Sequence, residues 1–204
     1  MTGGAAERGL RRGLILGGAL VLAAAIGFGA RWLVGAGRQD ERLGTPSIGG
    51  PFALIDQDGR PVNSVDFRGK LMLIYFGFTW CPDICPTELQ SMALALDALG
   101  PQAALAQAIF ISVDPERDKP EVLKAYVAQF HERLIGLTGS AEQTAAAAKA
   151  YKVYYAKSGN TGGADYQIDH SGFIYLMDRT GIYLTHFRPG TPPAEIATRI
   201  RQLR

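Results

Sequence analysis

Leu71-Met72-Leu73-Ile74-Tyr75-Phe76 places six apolar residues in a row and leaves no polar face for solvent. A segment of that length and pattern reads as a strand buried on both sides, which requires a sheet with layers packed above and below it. Ala108–Val113, apolar except for Ser112, reads as the next buried strand. Between them, Leu89, Met92, Leu96 and Leu99 fall on one stripe of a helix that starts at Pro86 and Thr87 and runs to about Leu99. Strand, helix and strand in this order make a parallel pair joined by a crossover, the building unit of layered α/β folds.

The flanking pattern extends that unit. Phe52–Ile55 and Pro61–Val65 surround the turn sequence Asp56-Gln57-Asp58-Gly59 and predict a small hairpin. Asp118-Lys119-Pro120-Glu121 opens a helix whose apolar positions are Val122, Leu123, Tyr126, Val127 and Phe130. Ile135–Leu137 is a short strand, Ser140 caps a helix to about Tyr151, and Val153–Ala156 is extended before the flexible loop Gly159-Asn160-Thr161-Gly162-Gly163. Phe173–Met177 and Ile182–Phe187 pair around Asp178-Arg179-Thr180-Gly181, and Thr191-Pro192-Pro193 opens the last helix. Parallel strands with crossover helices followed by an antiparallel pair describe a thioredoxin-like α/β sandwich with an N-terminal β-hairpin.

The N-terminus reads differently. From Gly13 to Ala30 no charged residue occurs, and Trp32, Leu33 and Val34 extend the run past Arg31. A helix over that stretch is about 27 Å long, close to the roughly 30 Å of a bilayer core, so one crossing is expected. The predicted organisation is a tail over residues 1–12, a transmembrane anchor over 13–35, a Gly-rich and charged tether over 36–50, and the folded domain over 51–204. A cleavable signal with Arg8, Arg11 and Arg12 as its basic start and Val34-Gly35-Ala36 as its cleavage site is the alternative, but the apolar stretch exceeds the usual length of about 7–15 residues. Arginines precede and follow the span, so the positive-inside rule does not orient it. Either way the domain is exported. A formal net charge of +2 on 204 residues carries no basic excess and argues against nucleic acid as a partner.

The chain has two cysteines, in Cys81-Pro82-Asp83-Ile84-Cys85-Pro86, on the turn between the first buried strand and its helix. Two thiols at that point imply redox or metal chemistry. Three intervening residues, one more than in thioredoxin-like dithiols, suit spreading two thiolates around an ion. Each cysteine precedes a proline, which disfavours helical backbone and predicts an irregular loop with Cys85 as the helix cap. The helix-end amides would then lower the Cys85 thiol pKa, with Glu88 competing weakly for the same positive end.

Two thiolates need a third partner. Met1, Met72, Met92 and Met177 do not cluster, His131 follows a helix end, and His186 lies within a strand. His170 differs, because Asp169-His170-Ser171-Gly172 is a polar turn just before the strand Phe173–Met177. In thioredoxin-like folds the loop there packs against the dithiol and usually carries a proline, whereas no proline occurs here between Pro120 and Pro189. Imidazole plus two soft thiolates suits copper or zinc. Asp169 is the candidate to orient the imidazole from behind. Ser112-Val113-Asp114-Pro115-Glu116-Arg117-Asp118 reads as a strand end running into a helix start, with no chemistry assigned.

These residues resemble the SCO/SenC family of membrane-tethered, copper-binding, thioredoxin-like proteins. The matching segments are Phe76-Gly77-Phe78-Thr79-Trp80-Cys81-Pro82-Asp83-Ile84-Cys85-Pro86, Ser112–Asp118, and Asp169-His170-Ser171 through Tyr175-Leu176. The resemblance implies Cys81, Cys85 and His170 as copper ligands, for Cu(I) and also Cu(II). It implies delivery of copper to, or reduction of thiols in, the dinuclear copper centre of a respiratory cytochrome oxidase. It also implies an anchored domain in the bacterial periplasm, the mitochondrial intermembrane space being the alternative. A disulfide between Cys81 and Cys85 would block loading, so a separate thiol reductant is expected alongside the copper-accepting oxidase subunit. The rivals are a thiol–disulfide oxidoreductase without metal, a thiol peroxidase suggested by Thr79, Cys81 and Cys85-Pro86-Thr87-Glu88, and a redox or copper sensor that transfers nothing.

Overall fold

The computed structural model describes residues 48–159, 163 and 165–203. The anchor expected over 13–35 and most of the tether expected over 36–50 lie outside the described residues, as does most of the loop expected at Gly159–Gly163. Among the described residues no helix is long and apolar enough to cross a membrane.

The strands are β1 (Ala53–Asp56), β2 (Pro61–Asn63), β3 (Leu71–Gly77), β4 (Ala106–Ser112), β5 (Leu134–Thr138), β6 (Tyr155–Ser158), β7 (Gln167–His170), β8 (Ile174–Met177) and β9 (Tyr183–Phe187). The helices are α1 (Ile84–Leu99), α2 (Pro120–Val127), α3 (Ala141–Ala150) and α4 (Pro193–Gln202). Seven strands form one mixed sheet in the order β2-β1-β5-β4-β3-β8-β9, with β3, β4 and β5 parallel and the remaining pairs antiparallel. This is the thioredoxin-like arrangement expected from the pattern of elements.

The two apolar runs occupy the centre of the sheet. Every residue of β3 and of β4 is buried. Each large side chain so covered contributes about 1.5–3 kcal/mol, which is why a strand with no polar face is stable only here. Alternation along β3 sends Tyr75 and Gly77 toward Cys85 of α1 on one face, while Phe76 packs on Tyr151, just beyond α3, on the other. Ser140 caps α3 as expected: its hydroxyl accepts from the Gln143 amide while Gln143 Oε1 accepts from the Ser140 amide.

Three local differences bear on the site. The second arm of the N-terminal hairpin stops at Asn63, because residues Ser64–Phe67 turn into a 3-10 helix that carries the chain to β3. Helix α1 begins at Ile84 rather than at Pro86, so Cys85 is already in its first turn. Pro86 is tolerated there because its missing N–H is one the helix would leave unpaired anyway. Finally, β6 and β7 form a separate antiparallel ribbon with Tyr155 opposite His170. His170 therefore ends a strand and does not sit in a turn.

Strand register decides which loops meet. Gly77 and Ser112, the last residues of β3 and β4, are partners, so the loops leaving the two strands emerge side by side. The C-terminal edge of a parallel sheet is where α/β folds present their reactive groups.

Candidate metal centre

The β3–α1 loop delivers the thiols. Cys81 follows a turn closed by its own amide on the Phe78 carbonyl at 3.3 Å, and is half-buried; Cys85 is fully buried beneath it. The thiols are free. Gly77 is what makes room for the inner sulfur: a Cβ at that position would lie 2.7 Å from Cys85 Sγ. The Tyr75 hydroxyl, buried, donates to the same sulfur at 3.9 Å.

The imidazole arrives from the ribbon. His170 Nε2 lies 3.3 Å from Cys85 Sγ, and the ring is held edge-on by Tyr75 and Phe78 at centroid distances of 6.0 and 5.9 Å. Its Nδ1 lies 3.2 Å from the Ser171 carbonyl oxygen. A carbonyl can only accept, so this bond puts the ring proton on Nδ1 and leaves the Nε2 lone pair facing the sulfurs. Asp169, expected to orient the ring, points to the opposite, exposed face of β7 because strand side chains alternate. The Ser171 backbone carbonyl takes that part instead.

The donor atoms of Cys81, Cys85 and His170 all lie within 4.8 Å of one another. An ion held at metal–sulfur and metal–nitrogen distances of about 2.3 and 2.0 Å keeps such donors about 3.5–4 Å apart. The cluster thus fits a single soft ion with small side-chain adjustments. The other histidines are engaged elsewhere: His131 Nε2 is 3.5 Å from Asp97 Oδ1, and His186 lies against Phe173 and takes a 2.6 Å contact from the Tyr183 hydroxyl. Met72, Met92 and Met177 are core residues.

The two thiols are electrostatically unequal, and in the opposite sense to the sequence expectation. The amide of Cys85, in the first turn of α1, points back to Cys81 Sγ at 3.4 Å. A hydrogen bond from the Cys85 thiol, with further bonds from the Asp83 and Cys85 amides, outweighs burial and brings the Cys81 pKa down to about 4. Cys85 goes up, because it supplies the proton of that bond, is buried, and faces the Cys81 charge. The helix end therefore favours the thiolate of the outer cysteine and not of the one within the helix. Glu88 does not compete at the surface: it is buried, accepts from the Gly190 amide at 2.8 Å, and burial raises its pKa.

The run Ser112–Asp118, read as a plain turn, holds the loop from beside. Asp118 is buried and accepts from Thr79 N at 3.0 Å, Thr79 Oγ1 at 2.6 Å and Ser112 Oγ at 2.6 Å. That commits the Thr79 hydroxyl proton to Asp118. Asp114, also buried, pairs with Arg117 and accepts from the Tyr166 hydroxyl at 2.6 Å. The available signal was the density of charge in a segment abutting a fully buried strand: such groups are buried only when partnered.

Comparison with known proteins gives a consistent outcome. The family model described as SCO1/SenC matches residues 40–204. An SCO2-like protein of Rickettsia felis is 42% identical over 187 residues, covering 87% of this chain and 91% of its own. The copper-bound structure of Bradyrhizobium japonicum ScoI superimposes with a TM-score of 0.73 at 42% identity, covering 78% of this chain and 100% of that one. A more distant structure, of BsSco, a member of the Sco family of cytochrome c oxidase assembly proteins with an identified disulfide switch, gives a TM-score of 0.60 at 26% identity over 80% of this chain and 98% of that one.

Proposed function

We propose a function for this chain, which belongs to the SCO1/SenC family: it is a membrane-anchored copper carrier that serves assembly of a respiratory cytochrome oxidase. Copper is its cargo, held by Cys81, Cys85 and His170. The observation that carries this reading is the convergence of two sulfurs and one imidazole nitrogen from separate elements within 4.8 Å. Two thiolates and one imidazole form a soft set, matched to Cu(I) and able to hold Cu(II), and copper-bound relatives share the fold. Three ligands leave an open position on the ion, and Cys81 is only half-buried. A thiol of the copper-accepting oxidase subunit can enter there and displace the outer sulfur, so copper moves by ligand exchange.

Residues 13–35 are the anchor, and the domain works in the bacterial periplasm. In that oxidising compartment a Cys81–Cys85 disulfide closes the site, and a thiol reductant reopens it. The same pair supports a second reading, reduction of an oxidase disulfide to its thiols with Cys81 and Cys85 oxidised to a disulfide in exchange, because a half-buried thiolate beside a protonated buried thiol is the arrangement of an attacking and a resolving cysteine. The two are told apart by mixing copper-loaded protein with an oxidised and with a reduced acceptor domain. Carriage moves copper to the reduced acceptor, whereas reduction consumes the acceptor disulfide without copper. For the site itself, X-ray absorption and copper stoichiometry on the reduced protein are expected to give one copper with two sulfurs and one nitrogen. Cys85→Ser loses a sulfur and His170→Ala the nitrogen. Unchanged copper coordination in His170→Ala would sink the three-donor site.

A further inference from the structure

The two halves of the donor cluster are built independently. The thiols belong to a loop of the main sheet, and the imidazole to a ribbon that has no strand pairing with it. Their separation therefore depends on tertiary contacts. Tyr166, Ile168 and His170 alternate onto one face of β7 and the residue leading into it, so holding Tyr166 holds the ring four residues on. A slip of one residue would present Asp169 and turn His170 away.

One side chain joins the halves. The Arg117 guanidinium lies 3.7 Å from the Tyr166 ring centroid, and its Nη1 donates to the Tyr166 carbonyl at 2.9 Å. The same group lies 5.4 Å from the ring of Trp80, the residue before Cys81, and 5.8 Å from Phe78, whose edge meets His170. Asp114, 1% exposed, fixes the guanidinium through Nε and accepts the Tyr166 hydroxyl at 2.6 Å. The other charged tie from the ribbon, Lys157 to Glu116 at 2.7 Å, is exposed and contributes little. A planar, multidentate cation stacked on aromatic rings is not replaceable by lysine.

We propose that Arg117 is a positioning residue for the metal centre: it registers the β6–β7 ribbon against the β3–α1 loop so that the His170 Nε2 meets the thiols. Arg117→Lys keeps a charge beside Asp114 but lacks the stack and the geometry of the bond to Tyr166. The test uses the detergent-solubilised full chain labelled with ¹⁵N-histidine, which has three histidines to resolve. In the metal-free, reduced protein, Arg117→Lys is expected to convert the His170 resonances from a single Nδ1-protonated form to an exchanging pair of tautomers, with His131 and His186 unchanged as internal references. The copper arm rests on the carrier reading. There, Arg117→Lys lowers Cu(I) affinity about tenfold, the lower end for groups that orient a ligand, and causes no further loss when combined with His170→Ala. Unaltered His170 resonances in Arg117→Lys overturn the proposal whether or not copper binds. Losses that simply add in the double variant overturn it as well. Tyr166→Phe, which removes the hydroxyl's bond to Asp114 and its weaker 3.4 Å contact with Glu116 but keeps the ring under Arg117, gives the same signature at smaller size and decides the matter if Arg117→Lys fails to fold.

Discussion

Copper loading should release one proton per ion near neutral pH, although two thiolates bind. The perturbation is pH itself, varied between 7.0 and 8.5, the range over which an ordinary thiol begins to lose its proton. Cys81, drawn down to about 4, is a thiolate at pH 7 and has no proton to lose. Cys85, pushed above the ordinary thiol range, keeps its proton until a metal displaces it. Metal affinity falls wherever a ligand must first deprotonate, so log K rises by one per pH unit. Across the window this is about 30-fold, or about 1.4 kcal/mol per pH unit. Two ordinary thiols with pKa about 8.5 would instead give about 250-fold across the same window. Competition against a Cu(I) chelator under anaerobic conditions measures the slope, and calorimetry in buffers of different ionisation heat counts the protons. Release of two protons per copper, or a rise near 250-fold, would refute the assignment of a charged outer and a protonated inner sulfur.

The same inequality predicts that iodoacetamide at pH 6 modifies Cys81 and spares Cys85, as read by peptide mass spectrometry; equal labelling would contradict it. Gly77→Ala places a methyl 2.7 Å from Cys85 Sγ and 3.0 Å from Phe110 Cε2, so the domain should lose about 1–3 kcal/mol of stability in denaturant titrations, and copper affinity should drop at least about tenfold. Glu88→Gln keeps an acceptor for Gly190 but removes a buried carboxylate whose pKa is raised on folding. The folded state then binds the proton more tightly than the unfolded chain, so the native protein loses stability as pH rises through the carboxyl range. Glu88→Gln should therefore be at least as stable as the native protein at pH 7, with the difference closing below about pH 4, the ordinary glutamate range. A variant less stable at pH 7 than at pH 4, relative to native, would reverse that sign.

What could be read ahead of the structure tracks the strength of local signals. β3 and β4 rest on wholly or mainly apolar runs and the capping of α3 on Ser140 with its partner three residues later, and both signals are self-contained. The extended segment at Val153–Ala156 foreshadowed β6, but β7 was missed because Gln167-Ile168-Asp169-His170 offers one strongly apolar residue in four, too few for a period of two to register. The nearness of His170 to the thiols was anticipated, but not the strand that carries it. The unequal sulfurs were assigned the wrong way round because helix-end amides were credited to the cysteine that belongs to the helix. In fact the Cys85 N–H is the donor, and its target is the sulfur four residues earlier. Asp114, Arg117 and Asp118 looked like turn formers because their partners, Thr79 and Tyr166, lie some forty to fifty residues away in sequence.

The hollow left by Gly77 beneath the inner sulfur has a kinetic corollary. With Cys85 seated in the protein interior and Cys81 at the rim, an ion held between them would have one side turned to the outside world. An incoming ligand that displaces Cys81 first would leave the buried sulfur as the last bond to break. Unloading would then be directional and stepwise: a passing chelator that cannot reach past the rim gets no purchase, while a protein that docks there receives the metal at close range.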